Sequence, residues 1–167
     1  MNSPTAKNTT EFKVVLVGDS GVGKTSFLRK IKGCEFEKRY LSTIGCDVHP
    51  IFMKHSGSTS YTFWDTAGQE TYSGKFISYF KGAHVVVLMY DISSKLSYTN
   101  LKKWYESVRS VNQTVPIILV GNKCDSDIRK VQNPDFHLEI GLPYFEISSK
   151  TGENIESALD YIIYLCK

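Results

Sequence analysis

The sequence predicts an α/β fold: a mostly parallel six-stranded sheet with one antiparallel edge strand and helices on both faces. Three observations carry this. His84 to Tyr90, Pro116 to Gly121 and Pro143 to Ile147 are continuous apolar runs rather than alternating ones, which fits strands buried on both faces. Helix-compatible stretches near Leu96 to Val111 and Glu153 to Cys166 separate or follow those runs. A glycine-rich turn stands between the β-branched run Phe12 to Val17 and the helix-compatible Lys24 to Lys32, so the chain opens as strand, turn and helix.

The other elements follow in order. Residues 1–10 are rich in Asn, Ser, Thr and Pro with almost nothing to bury, so a mobile tail is expected there and one domain over 11–167. Cys46 to His55 and Ser60 to Asp65 flank a Ser-Gly-Ser-Thr segment, the pattern of an antiparallel hairpin. Pro50 puts the first of these strands at a sheet edge, where a missing amide is harmless. In such a sheet, ligand loops gather at the carboxyl ends of the strands.

Size and charge narrow the function classes. A chain of 167 residues with 41% hydrophobic content can bury a core of its own. Its formal charge of +3, from 20 basic and 17 acidic residues, is mild and forms no long basic run, so nucleic acid is not an implied partner. Cys34, Cys46, Cys124 and Cys166 lack CxxC spacing and no apolar leader is present, so a reduced, cytoplasmic setting is expected. No apolar stretch approaches the roughly 20 residues that a membrane-spanning helix requires; membrane contact would need a lipid anchor or a partner.

Gly18-Asp19-Ser20-Gly21-Val22-Gly23-Lys24-Thr25 satisfies GxxxxGK[ST] after a predicted strand and opening a predicted helix. Glycines let the backbone bend so that consecutive amides and the positive helix end converge on phosphates. Lys24 adds a charge and Thr25 offers a hydroxyl to Mg²⁺. Ser20, Gly21, Val22, Gly23, Lys24, Thr25 and Ser26 are therefore candidate nucleotide contacts. A glycine-rich helix cap would explain neither Lys24 nor Thr25 at these offsets. The pattern alone does not separate ATP from GTP.

Two later segments fall on the same sheet edge. In Trp64-Asp65-Thr66-Ala67-Gly68-Gln69-Glu70, Asp65 stands at a strand's carboxyl end, where a carboxylate can hold Mg²⁺. Gly68 can bring its amide close to a γ-phosphate, and Gln69 can orient an attacking water. Asn122-Lys123-Cys124-Asp125 follows a buried strand. Guanine presents an N1 proton and a 2-amino group side by side, and Asp125 can accept both. Adenine offers neither and would leave the carboxylate unpaired. Ser148-Ser149-Lys150, after the last strand, can offer a backbone amide to the guanine O6. Each segment alone is weak; their order and spacing together are not.

On these motifs the chain resembles the Ras superfamily of small GTPases, from Glu11 to Cys166. The resemblance implies a P-loop G-domain fold and a GTP/GDP switch with Mg²⁺ that hydrolyses GTP, with Gln69 and Lys24 as the catalytic groups. It implies that Thr43, in Tyr40-Leu41-Ser42-Thr43-Ile44-Gly45, ligates Mg²⁺ together with Thr25 and Asp65; the residues alone would not single it out. It further implies that Phe36 packs on the guanine and that Tyr40 belongs to the nucleotide contacts. Lys123 and Lys150 would flank the base, Ser148 would steady the recognition loop, and Asn122 would tie that loop to the phosphate loop. An exchange factor, a GAP and effectors would meet the switch regions.

Trp64 to Glu70, Tyr79-Phe80-Lys81-Gly82-Ala83 and Leu88 to Ser93 look like the Rab family, implying vesicle trafficking. Glu35 to Tyr40 and Val48-His49-Pro50 look like Ran, implying nucleocytoplasmic transport and a nuclear location. Rabs usually carry an aromatic at Val48, in a triad with the positions of Trp64 and Tyr79, and an arginine at Thr71. The chain ends Cys166-Lys167, neither a prenylation signal nor an acidic tail like that of Ran, so either a shortened chain or an absence of anchoring is expected. Two rivals stay open: a guanine-nucleotide-binding scaffold that scarcely hydrolyses, against which Gln69 argues, and an ATP-dependent small-molecule kinase, for which neither an arginine-bearing lid nor a phosphoacceptor pocket is visible. Trp104 and Tyr105 read as packing or surface residues.

Overall fold

The computed structural model describes residues 10–37, 42–52, 59–68 and 74–167. Its elements, in chain order, are β1 (Thr10–Val17), α1 (Lys24–Ile31), β2 (Cys46–Phe52), β3 (Thr59–Thr66), α2 (Gly74–Tyr79), β4 (Val85–Asp91), α3 (Lys95–Thr99), α4 (Leu101–Val111), β5 (Ile117–Asn122), α5 (Phe136–Ile140), β6 (Tyr144–Ile147) and α6 (Ile155–Leu165). The strands form one six-stranded sheet in the order β2-β3-β1-β4-β5-β6. Only β2 runs antiparallel, against β3, and it lies at the edge with Pro50 opposite Thr62. The expected sheet is thus the observed one.

Both faces of the sheet are covered, which is why its inner strands read as unbroken apolar runs. Val14, Leu16, Val87 and Met89 point to one face, against Phe27 and Leu28 of α1 and Ala158 and Ile162 of α6. Val15, Val17, Val86 and Leu88 point to the other, against Leu101, Trp104 and Val108 of α4. Those three stand at i, i+3 and i+7, one stripe of a helix. All of β4 and β5 is buried.

Differences from expectation are local. β1 begins at Thr10, inside the stretch expected as a tail, because Thr10 pairs with Thr59; strand ends are set by the neighbouring strand rather than by local composition. The tail otherwise lies outside the described residues, as does the hairpin tip. The helix expected over Leu96 to Val111 is two, α3 and α4, meeting at Asn100. Two short helices, α2 and α5, had no periodic signal of their own.

Gly121 in β5 leaves room for two tyrosines of the neighbouring strands to meet. Tyr90 and Tyr144 share a 2.6 Å hydrogen bond across it, and Tyr144 also donates to Glu146 Oε1 at 2.6 Å. A Cβ at Gly121 would lie 2.7 Å from the Tyr144 hydroxyl and 2.9 Å from that of Tyr90. Burial pushes the Tyr90 phenol up to about 12. Gly121→Ala should therefore destabilise the protein by about 1–3 kcal/mol through overpacking, measured by urea unfolding. Adding Tyr144→Phe should recover part of that loss, and no recovery would place the strain elsewhere.

Candidate functional site

The carboxyl ends of β1, β3, β5 and β6 deliver four loops to one cleft of about 650 Å³. Its walls include Ser20, Gly21, Gly23, Lys24, Thr25 and Ser26 on one side and Asn122, Lys123, Asp125, Ser149 and Lys150 on the other. Phe36, Thr43 and Gly68 close it further. Of the expected site residues that are described, Val22, Asp65 and Ser148 stand behind the wall: Val22 is a core side chain, 1% exposed, Asp65 is fully buried against Thr25, and Ser148 donates to Asp125. Tyr40 and Gln69 lie outside the described residues.

The loop after β1 opens directly into α1. Gly23 adopts φ 101° ahead of the first helical residue, and the Lys24 ammonium donates to the Gly18 and Asp19 carbonyls at 2.7 and 2.9 Å. Burial pulls Lys24 down to about 8, against the attraction of Asp65 and Asp19. An anion in the cleft would work in the same direction as those carboxylates and keep Lys24 charged.

Three oxygen groups from separate segments meet beside it. Thr25 Oγ1 donates to Asp65 Oδ2 at 2.5 Å and lies 3.0 Å from Thr43 Oγ1. Asp65 is fully buried, and its Oδ1 has no hydrogen-bond partner among the described residues. Burial pushes the Asp65 carboxyl up, offset by the Thr25 hydrogen bond and by Lys24. A hard, all-oxygen set with one orphaned carboxylate oxygen fits Mg²⁺, with most of its coordination left to water and ligand. Thr43, which the family resemblance groups with Thr25 and Asp65, lies beside Thr25, although its local sequence gives no sign of it.

Gly68 lies flat on the phosphate loop. A Cβ there would fall 2.1 Å from the Ser20 amide nitrogen and 2.4 Å from the Asp19 carbonyl carbon, so no side chain is admissible. The close approach is to the phosphate loop itself, whereas the one expected of Gly68 is to a γ-phosphate.

At the far end, Asn122 Nδ2 donates to the Val22 carbonyl at 2.8 Å, while its Oδ1 accepts from the Ser149 amide at 3.0 Å. The expected tie between base loop and phosphate loop is present. Ser148 donates to Asp125 Oδ1 at 2.6 Å, and Lys150 Nζ lies 3.5 Å from Asp125 Oδ2. Lys123 reaches Asp91 Oδ2 at 2.6 Å. One expectation changes. The Ser149 amide is engaged by Asn122 and the Lys150 amide by Ser148 Oγ at 3.2 Å, so a base carbonyl would share one of these donors rather than meet a free one. Cys124 is pushed up to about 11 by burial, which makes it an unreactive thiol.

Missed altogether in the sequence were Asn100, Trp104 and Asp91. Each acts through a residue of the site: Asn100 and Trp104 hold Asp19, and Asp91 holds Lys123. No local pattern could have found them, because each partner is tens of residues away.

A Gly-rich strand-to-helix loop, an oxygen set for Mg²⁺ and a carboxylate poised for a base edge define a nucleotide-binding α/β protein of the P-loop class. The model of the Ras family matches residues 13–167, nearly the whole chain. The chain belongs to that family, and is thereby a small GTPase whose ligand is a guanine nucleotide.

Ser148 is the largest cause holding the Asp125 carboxyl below its usual range, ahead of Lys150. Folding therefore favours the ionised form: the stability it contributes is present above the usual carboxylate range and is lost as pH falls through the lower folded value. A carbon-13 NMR titration should place the Asp125 midpoint below that of an ordinary aspartate, and Ser148→Ala should raise it. An unmoved midpoint would remove Ser148 from the account.

Proposed function

We propose that the chain is a slow, Mg²⁺-dependent GTP/GDP switch acting in vesicle trafficking. The observation that carries the switch reading is convergence: the phosphate loop, Thr43, Gly68 and the segment Asn122 to Asp125 bound one cleft, with Asp65 directly behind Thr25. In this reading Thr25, Thr43 and Asp65 hold Mg²⁺, which neutralises charge on the phosphate oxygens. Lys24 and the loop amides bind the phosphates. Asp125 accepts the N1 and 2-amino protons of guanine, with Lys123 and Lys150 along its edges and Phe36 against it. Gln69, which follows Gly68, orients the attacking water. Thr43 and Gly68 are the groups whose contacts depend on the γ-phosphate, so the segments that carry them change with the nucleotide.

The trafficking assignment rests on the Rab-like segments. Trp64 and Tyr79 pack with ring centroids 6.0 Å apart, and Val48 is register partner to Trp64 and half exposed. With Ile44 and Ile77 also exposed, this is an apolar face for an effector, although Val48 in place of an aromatic implies a partner unlike those of typical Rabs. Nuclear transport is the second reading. It is favoured by the Ran-like residues Glu37 and His49, which engage Arg29 of α1 and Lys32 at its C-cap at 2.8 Å each. Imaging of the full-length tagged protein separates them: vesicular membrane supports the first, nuclear accumulation the second.

The switch itself is tested on purified protein. Released nucleotide identified by chromatography should be GDP or GTP, and loaded GTP should convert in single turnover only with Mg²⁺. The rate should be on the order of 10⁻⁴ s⁻¹, the value for Ras, a relative, and should rise by several orders of magnitude with a GAP. Guanine binding without conversion would favour a scaffold, and bound adenine nucleotide would sink the assignment. Asp125→Asn should shift preference toward xanthine nucleotides; unchanged guanine selectivity would mean that the base contact is misassigned.

A further inference from the structure

Beside the phosphate loop lies a second cavity, about 310 Å³, lined by Asp19, Ser20, Gly68, Asn100, Lys103 and Trp104. Asp19 is the one acidic residue of the loop Gly18 to Thr25. Its Oδ2 accepts from Asn100 Nδ2 at 2.7 Å and its Oδ1 from Trp104 Nε1 at 2.7 Å. Trp104 is 1% exposed, and an indole is a donor only, so its N–H requires an acceptor at this depth. Asn100 joins α3 to α4 with helical backbone, φ −74° and ψ −9°, so its side chain is not engaged in capping α4 and is directed to Asp19 instead.

A carboxylate in a phosphate loop is an electrostatic conflict, because it repels the anion that the loop amides attract. The conflict is sharpest for the more highly charged triphosphate. Asp19 lines the second cavity rather than the main cleft, but its peptide to Ser20, which does line the cleft, is the surface on which Gly68 rests, and Gly68 is the residue that the proposed switch sets at the γ-phosphate. We propose, building on the reading of the main cleft as a guanine-nucleotide site, that Asn100 and Trp104 are positioning residues that hold the Asp19 carboxylate away from the nucleotide phosphates and thereby set the preference for GTP over GDP. Helix α4 thus enters nucleotide selection without touching the nucleotide.

The test compares affinities for GDP and a non-hydrolysable GTP analogue by competition against a fluorescent guanine nucleotide. Trp104→Phe keeps the ring and removes the donor, and Asn100→Ala removes the other tether. Each should lower the GTP-to-GDP affinity ratio, by roughly three- to tenfold when combined. Asp19→Ala added to either should bring the ratio back to within about twofold of the parent, because no carboxylate is left to misplace. Tyr105→Phe, on the same helix, should leave the ratio unchanged. A merely structural tether would weaken both nucleotides alike and would not be rescued by Asp19→Ala. An unchanged ratio in both tether variants, or no restoration by Asp19→Ala, overturns the proposal. If Trp104→Phe fails to fold, Asn100→Ala with and without Asp19→Ala carries the same comparison. Parent protein that binds no guanine nucleotide would overturn the site reading and this proposal together, an outcome read before any variant is made.

Discussion

The site depends on one buried side chain. Asn122, 1% exposed at the end of β5, donates to the loop after β1 and accepts from the Ser149 amide and hydroxyl after β6. Three loops that are distant in sequence are therefore pinned to a single amide, with its acceptor doubly used. Such a network is stable only when complete, since a half-satisfied amide in the interior costs more than an apolar replacement. It also dictates its neighbour: a Cβ on Gly23 would lie 2.2 Å from Asn122 Nδ2, so the last glycine of the phosphate loop is required by the base loop as well as by its own positive φ.

With the loops fixed, charge decides the rest. Lys24 and Asp65 are both buried, and burial disfavours the charged form of each. They offset one another only in part, since burial remains the largest cause of the shift in each. Asp125 differs, because it lies nearer solvent and is held ionised by Ser148. One end of the cleft thus concentrates buried charge and the other directional hydrogen bonding, the two chemistries that the proposed phosphate and guanine contacts call for.

Much of this was legible beforehand. Buried parallel strands advertise themselves as unbroken apolar runs, and the phosphate and base segments carry residue types at fixed offsets that few other structures need. What the sequence hid is long-range. Thr43 is an ordinary loop threonine until Thr25 and Asp65 are seen beside it. Trp104 reads as helix packing because its partner is 85 positions away. Helix α5 has no buried residue and so leaves no amphipathic trace. The division at Asn100 escaped notice because the apolar spacing on either side reads as one helix.

These hidden contacts share a direction: the loops are held from below, by side chains of strands and helices, rather than by their own sequences. Lys123 shows why that matters. Its φ of 69° is unfavourable for a non-glycine residue, and it is over-determined by the Asp91 ion pair and by the Cys124 amide bonded to the Ile147 carbonyl at 3.0 Å. Further along the same segment, Arg129 grips Glu146 of β6 with its two terminal guanidinium nitrogens, which holds the Glu146 carboxyl below its usual range. The backbone strain is therefore borne by rigid β4 and β6, and Asp125 is presented at a fixed height. A loop supported in this way holds Asp125 at a fixed place on the cleft wall, which in the proposed switch lets the base contact persist while the segments that carry Thr43 and Gly68 respond to the phosphate.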